Sequence, residues 1–161
     1  MKKNIILSGV GGQGILSIAA IIGTAAMGAD LYLKQAEVHG MSQRGGAVQS
    51  HLRIADREIF SDLIPRGSAD IILSVEPMES LRYISMLSEG GWLITNSTPH
   101  VNIKNYPELE DIMLEIKSLP RHIIIDADDI AKDLGNKRAA KNRERVRFHA
   151  GTSEILGLLI L

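Results

Sequence analysis

The sequence predicts an α/β protein: a Rossmann-like, mostly parallel, doubly wound sheet with helices on both faces and one inserted hairpin. Three observations predict it. Short, continuously apolar runs alternate with helical patterns, as expected for strands buried on both faces of a parallel sheet. The first run, "NIILSGV", passes through "GVGGQG" into "ILSIAAIIGTAAMGA", which is the strand, turn and helix that a G-x-G-x-x-G loop requires. One later stretch, "AVQSHLRI", alternates in polarity instead, and so marks a strand of a different kind.

Taken in order, the first strand ends at Gly9, Gly11 and Gly14, which satisfy G-x-G-x-x-G, with Gly12 and Gln13 between them. Such a loop aims helix N–H groups at an anion, where the helix end carries about half a positive charge. The competing reading is a tight turn that packs strand against helix. A nicotinamide or flavin reader also wants an acidic residue about 20 residues on, at the end of the second strand. Lys34 and Gln35 stand there, Asp30 comes too early, and Glu37 is placed in the following loop. The fold is supported; the dinucleotide is not.

The helix from Ile15 to Ala29 has only Ser17 and Thr24 as polar side chains. A helix packed on one sheet shows a polar stripe, whereas one apolar all round is covered on both sides. In so small a domain the second cover is expected from another chain. The second strand, "DLYLKQ", runs into "QAEVHGMSQRGGAVQSHLR", where Glu37, His39, Ser42, Gln43 and Arg44 crowd a loop closed by Gly40, Gly45 and Gly46. Glycines there permit positive φ and close approach of another surface, and polar donors on such a loop suit a ligand or partner contact. Arg44 is the loop's fixed cation, and its guanidinium suits a carboxylate or phosphate.

Between Ala47 and Ser61, Val48, Ser50, Leu52 and Ile54 share one face and Gln49, His51 and Arg53 the other. "ADRE" then reads as the turn into "IFSDLI", which completes the inserted hairpin. "IILSVE" is the next strand, followed by a helix over "PMESLRYISMLSEGG", then the strands "WLITNS" and "HIIIDAD". Of Asp126, Asp128 and Asp129, one is expected to cap a following helix rather than bind magnesium. From Lys132 to Arg147 seven Lys/Arg stand against two acids, which reads as a solvated helix face, not an RNA-binding tail.

Composition bounds the chemistry. The 161 residues suffice for one domain, 1–161, and a net charge of −1 gives no pull toward nucleic acid or anionic membrane. There is no cysteine, so this chain offers no disulfide, zinc–thiolate or iron–sulfur ligand. No metal site is argued from its histidines. "MKKNIILSGVGGQG" reads as a first strand rather than a leader, and no apolar run approaches the roughly 20 residues of a bilayer span. Cytoplasmic location is the expectation.

In order, "GVGGQGI", "AEVHGMSQRGGAVQSHLR", "GSADIILSVEPMESLR" and "GGWLITNS" resemble the gamma-type subunit of 2-oxoacid:ferredoxin oxidoreductases, in the version of the indolepyruvate enzymes' beta subunit. "HGMSQRGG" and "EPMESLR" mark that version. The resemblance implies a non-cluster subunit that works with a larger alpha-type subunit carrying thiamine diphosphate, magnesium and [4Fe–4S] clusters. It implies oxidative decarboxylation of an aryl 2-oxoacid such as indolepyruvate to an acyl-CoA, with CoA as co-substrate and ferredoxin reached through the complex. No catalytic residue is assigned to this chain. The Gly9–Gly14 loop becomes a packing turn, with a phosphate or CoA contact as its other use; the 37–46 loop becomes the partner or substrate side. A homodimer, a free-standing nucleotide-binding or regulatory domain, and an NAD-dependent dehydrogenase stay open on the residues alone. The resemblance covers the chain to about Asn142, and residues 143–161 are atypical: "KNRERVRFHA" is basic and "SEILGLLIL" is expected to form a short docked helix capped by Thr152 or Ser153.

Overall fold

Residues Ile5, Ile6, Leu7 and Val10 of the first strand, β1 (Lys2–Val10), are wholly buried, so this strand lies inside a sheet covered on both faces. The computed structural model describes residues 1–39, 45–127 and 129–130. After β1 come α1 (Ile15–Gly28), β2 (Tyr32–His39), β3 (Ala47–Ala55), β4 (Ala69–Ser74), α2 (Pro77–Arg82), a 3-10 turn (Ile84–Met86), β5 (Leu87–Asn96), α3 (Leu109–Ser118) and β6 (His122–Ile125). The six strands lie in the order β2-β3-β1-β4-β5-β6. β1, β4, β5 and β6 pair in parallel, while β3 runs antiparallel to both β1 and β2. The expected α/β sheet is therefore present, with one reversed strand set into it.

Alternate residues of the strands feed two cores. Ile5, Leu7, Leu52, Ile54 and Leu73 meet Ile15, Ile18, Ala19 and Ile22 of α1 on one face. Ile6, Ile72 and Leu93 meet Ile112 and Ile116 of α3 on the other, with Met78 and Leu81 of α2 against them. Helices thus cover both faces, as the continuous apolar strands require. α1 ends where Asp30 adopts φ 56°, and the N–H groups of Ala29, Asp30 and Leu31 turn back to carbonyls of Ala26 and Met27.

Two boundaries differ from the sequence reading. The hairpin is β2–β3, with Tyr32 opposite Ala55 and His39 opposite Val48; it is not a pair of strands within 47–61. The "IFSDLI" stretch forms no strand. β3 already has partners on both edges, and side chains of β3 catch the backbone that follows it: Arg53 donates to the carbonyls of Ser61 (2.8 Å) and Leu63 (3.0 Å), and the Ile64 N–H donates to His51 Nδ1 (3.0 Å). These contacts replace a strand ladder. The helix after β4 is also shorter than "PMESLRYISMLSEGG" suggests, stopping at Arg82 because Leu87 already begins β5. α3 lies in the segment between β5 and β6, a helix that the sequence reading does not single out.

Candidate functional site

The direction of winding across the sheet reverses between the parallel neighbours β1 and β4: β1 leads through α1 to the β2–β3 side, and β4 leads through α2 to the β5–β6 side. In an open α/β sheet, the crevice outside the carboxyl ends of the strands at such a switch point is where ligands bind. Four segments meet there: the glycine loop after β1, the start of β3, the turn after β4 and the loop after β5.

The glycine loop is closed by its own residues. Gln13 is buried and its Oε1 accepts from the Val10 N–H at 2.7 Å, while the Gln13 N–H returns to the Val10 carbonyl at 3.1 Å. A Cβ on Gly9 would lie 2.3 Å from Val75 Cγ2 and 3.0 Å from both Gln13 Oε1 and Ile15 Cδ1. Gly9 is glycine because the β4 turn packs against its Cα. Gly14, at φ 84°, caps α1 in a backbone conformation that favours glycine and uses no side-chain cap. Gly11 faces the hairpin: its N–H donates to the Gly46 carbonyl (2.8 Å) and its carbonyl accepts from the Gly45 N–H (3.4 Å). The two glycine segments singled out in the sequence are therefore joined to one another.

Glu37 and His39 stand on β2, opposite Ser50 and Val48, and not in the loop where the sequence reading put them. The strand runs that far because β3 pairs with all of it. Gly45 and Gly46 sit at the hairpin's far end. Ser42, Gln43 and Arg44 lie outside the described residues, as do Gly40, Met41, Asp128 and everything from 131 on, the atypical end included. Asp126 caps the turn after β6, its Oδ1 accepting from the Asp129 N–H at 3.0 Å.

After β4 the structure adds to the site residues that the sequence reading placed in a strand end, a helix and a family marker, but in no site. Glu76 is wholly buried, and its carboxylate receives three donors: the Glu79 N–H (2.8 Å), the His100 N–H (3.3 Å) and the Tyr106 hydroxyl. Burial pushes the Glu76 carboxyl above its ordinary range, while those three bonds pull it down and Glu79 adds to the rise. Burial, and then the bond to Glu76, push the Tyr106 phenol up, which keeps it a donor at neutral pH. Glu79, also buried, accepts from Nε and Nη2 of the half-exposed Arg82 in a forked pair at 2.9 and 3.1 Å. The signal was present in "SVEPMESLR": a glutamate directly before Pro at the first helical position is a helix start. Its burial was not readable. Ser8 Oγ, at the end of β1, is buried and has no hydrogen-bond partner among the described residues.

No group of three or more His, Cys, Asp or Glu among the described residues is placed to hold a metal ion. With no cysteine in the chain and polar groups that bind backbone, the arrangement can position loops and receive a partner surface or an anion.

A family model described as Pyruvate ferredoxin/flavodoxin oxidoreductase matches residues 4–142. The indolepyruvate oxidoreductase subunit IorB of Archaeoglobus fulgidus is 43% identical over 143 residues, covering 84% of this chain and 70% of the relative. The subunit of the same name from Pyrococcus horikoshii is 41% identical over 145 residues, covering 84% and 71%. Among solved structures, the pyruvate oxidoreductase subunit PORC of Thermotoga maritima superposes with a TM-score of 0.60 at 22% identity, over 82% of this chain and 66% of that one. The gamma subunit of a keto/oxoacid ferredoxin oxidoreductase from Geobacter sulfurreducens gives 0.57 at 24%, over 87% and 70%. The chain thus spans about 70% of its IorB relatives and just under two thirds of PORC. With its fold, its ordered motifs and a family match over residues 4–142, this chain belongs to the pyruvate ferredoxin/flavodoxin oxidoreductase family.

Proposed function

We propose that this chain is the small, cluster-free subunit of a 2-oxoacid:ferredoxin oxidoreductase of the indolepyruvate type. The observation that carries the reading is the identity of 41–43% with IorB subunits, against 35% over 116 residues with a 2-oxoglutarate synthase subunit KorC. The assembled enzyme would convert an aryl 2-oxoacid and CoA to an acyl-CoA and carbon dioxide, passing two electrons to ferredoxin. Thiamine diphosphate, magnesium and [4Fe–4S] clusters belong, in this reading, to a larger partner. The side chains of this subunit do not fit an iron–sulfur cluster, because thiolate is the usual ligand and the sequence has none.

α1 supports the need for a partner. Its buried side holds Ile15, Ile18, Ala19, Ile22 and Ala26, yet its other side presents Leu16 at 56% exposure and Met27 at 67%. An apolar stripe on a helix already packed on its sheet marks an interaction surface. In this assignment the α1 stripe receives the larger subunit and the 37–46 segment lies on the partner or substrate side, Arg44 included. The Gly9–Gly14 turn is assigned to packing, with a phosphate of CoA as the anion it would otherwise meet. No described helix is long and apolar enough to cross a membrane, and cytoplasmic location is part of the proposal.

Co-expression with a cluster-bearing large subunit tests the assignment. Copurification and indolepyruvate-dependent viologen reduction are expected, and a colourless homo-oligomer that ignores the large subunit would favour a free-standing domain.

A further inference from the structure

The loop after β5 does not stay beside its own strand. The segment from Ser97 to Glu108 leaves β5 with the Ser97 N–H still bonded to the Ile125 carbonyl, and three of its later residues reach other parts of the site. The His100 N–H and the Tyr106 hydroxyl both donate to Oε1 of Glu76, in the turn after β4. Asn102 Nδ2 donates to the Gly45 carbonyl at 2.8 Å, at the start of β3's hairpin arm. Gly45 in turn is bonded to Gly11 of the glycine loop, whose N–H is bonded to Gly46. In sheet order these anchors run from β5 past β4 to the β1–β3 side, so the segment lies as a strap across the switch-point crevice.

We infer that Glu76 is the positioning residue of this strap, and that it fixes the Gly11–Gly45 junction through Asn102, a residue it does not touch. Three features carry this. Glu76 spends one carboxylate oxygen on its own helix start, the Glu79 N–H, and the other on the strap alone. Asn102 Oδ1 is buried without a partner among the described residues, so among them the bond to Gly45 is what holds the side chain. Among the described residues, His100 and Asn102 tie the middle of the strap to the site, with the Ser97 N–H on the Ile125 carbonyl at its start and Tyr106 packed against the α3-side core toward its end. Tyr106 packs against the core, but Val101 and Ile103 on either side of Asn102 are exposed, so at Asn102 the strap is placed by its polar anchor. A buried carboxylate with every donor satisfied rigidifies what it joins, whereas one donor lost leaves an uncompensated group.

The inference concerns this chain alone and does not depend on the proposed assembly. It is tested by amide hydrogen exchange on the full chain, with each rate taken relative to Ile72 in β4 of the same protein, so that a general loss of stability cancels. In Glu76→Gln the amide can no longer accept from Glu79, His100 and Tyr106 together. Exchange at His100, Gly45 and Gly11 is expected to quicken at least tenfold. Asn102→Ala is expected to quicken Gly45 and Gly11 to a similar degree while His100 stays within twofold. The double variant should be no faster at Gly11 than the faster single one, because both act along one path. If Glu76→Gln does not fold, Tyr106→Phe removes one anchor only and should give about threefold at the same two glycines. Quickened His100 with Gly11 and Gly45 unchanged would overturn the inference and reduce Glu76 to a helix cap.

Discussion

His51 and Gly9 show how single residues set this fold's terms. His51 accepts the Ile64 N–H at Nδ1, so its proton sits on Nε2, and the Gln49 amide 2.8 Å away must turn its oxygen there. Burial first, and the nearby Arg53 second, depress its pKa below 6.5. A depressed folded value means that the unfolded chain takes the proton more readily. The stability this group contributes is therefore complete above pH 6.5 and is lost as pH falls through the lower folded value, with a slope of at most about 1.4 kcal/mol per pH unit. Denaturant midpoints measured from pH 7.5 to 5 should fall accordingly, and His51→Gln should flatten the profile. Gly9→Ala puts a methyl into Val75, a β-branched neighbour stiff at χ1, and against Gln13 Oε1, which is already bonded. Overpacking of that kind costs about 1–3 kcal/mol, read as a lower urea midpoint at unchanged m-value. A variant as stable as the wild type would mean that Gly9 serves a ligand and not packing.

At the scale of elements, what was legible followed from periodicity. α1, β1, β4, β5 and β6 announce themselves by apolar runs or helical spacing, and the two faces of β3 follow from strict alternation: Leu52 and Ile54 enter the α1 core while His51 and Arg53 turn the other way. What failed was pairing, which is a long-range choice. "IFSDLI" has strand-like composition, but Phe60 is 87% exposed and the carbonyls of Ser61 and Leu63 are taken by Arg53. Local propensity could not show that a guanidinium would capture that backbone. The reach of β2 to His39 was hidden for the same reason, since only its pairing with β3 extends it past Glu37. The site was half legible: the glycine segments were marked, whereas the union of Glu76 with His100 and Tyr106 spans 24 to 30 residues of sequence and has no local signature. α1 supplies the testable element. Met27→Glu and Leu16→Glu alter exposed positions, so the melting of the free chain should move by no more than about 0.5 kcal/mol equivalent. If this face seats the partner, each change should weaken the complex by about 2 kcal/mol or more, roughly 30-fold in Kd by titration calorimetry. Unchanged affinity would place the interface elsewhere.

As a whole, the molecule is a scaffold whose polar groups hold loops in place at one end of a sheet, while α1 presents Leu16 and Met27 on its outer side. That division suits a subunit that shapes and supports a site whose redox chemistry is housed in another chain. The family match places the chain among ferredoxin/flavodoxin oxidoreductases. The most direct test is reconstitution: the purified chain, and a separately purified large subunit, are assayed alone and mixed for viologen reduction with indolepyruvate and CoA. No reduction is expected from this chain alone, little or none from the large subunit, and turnover on mixing that saturates at a fixed ratio of the two. Full turnover by the large subunit without this chain, or no association between them, would contradict it.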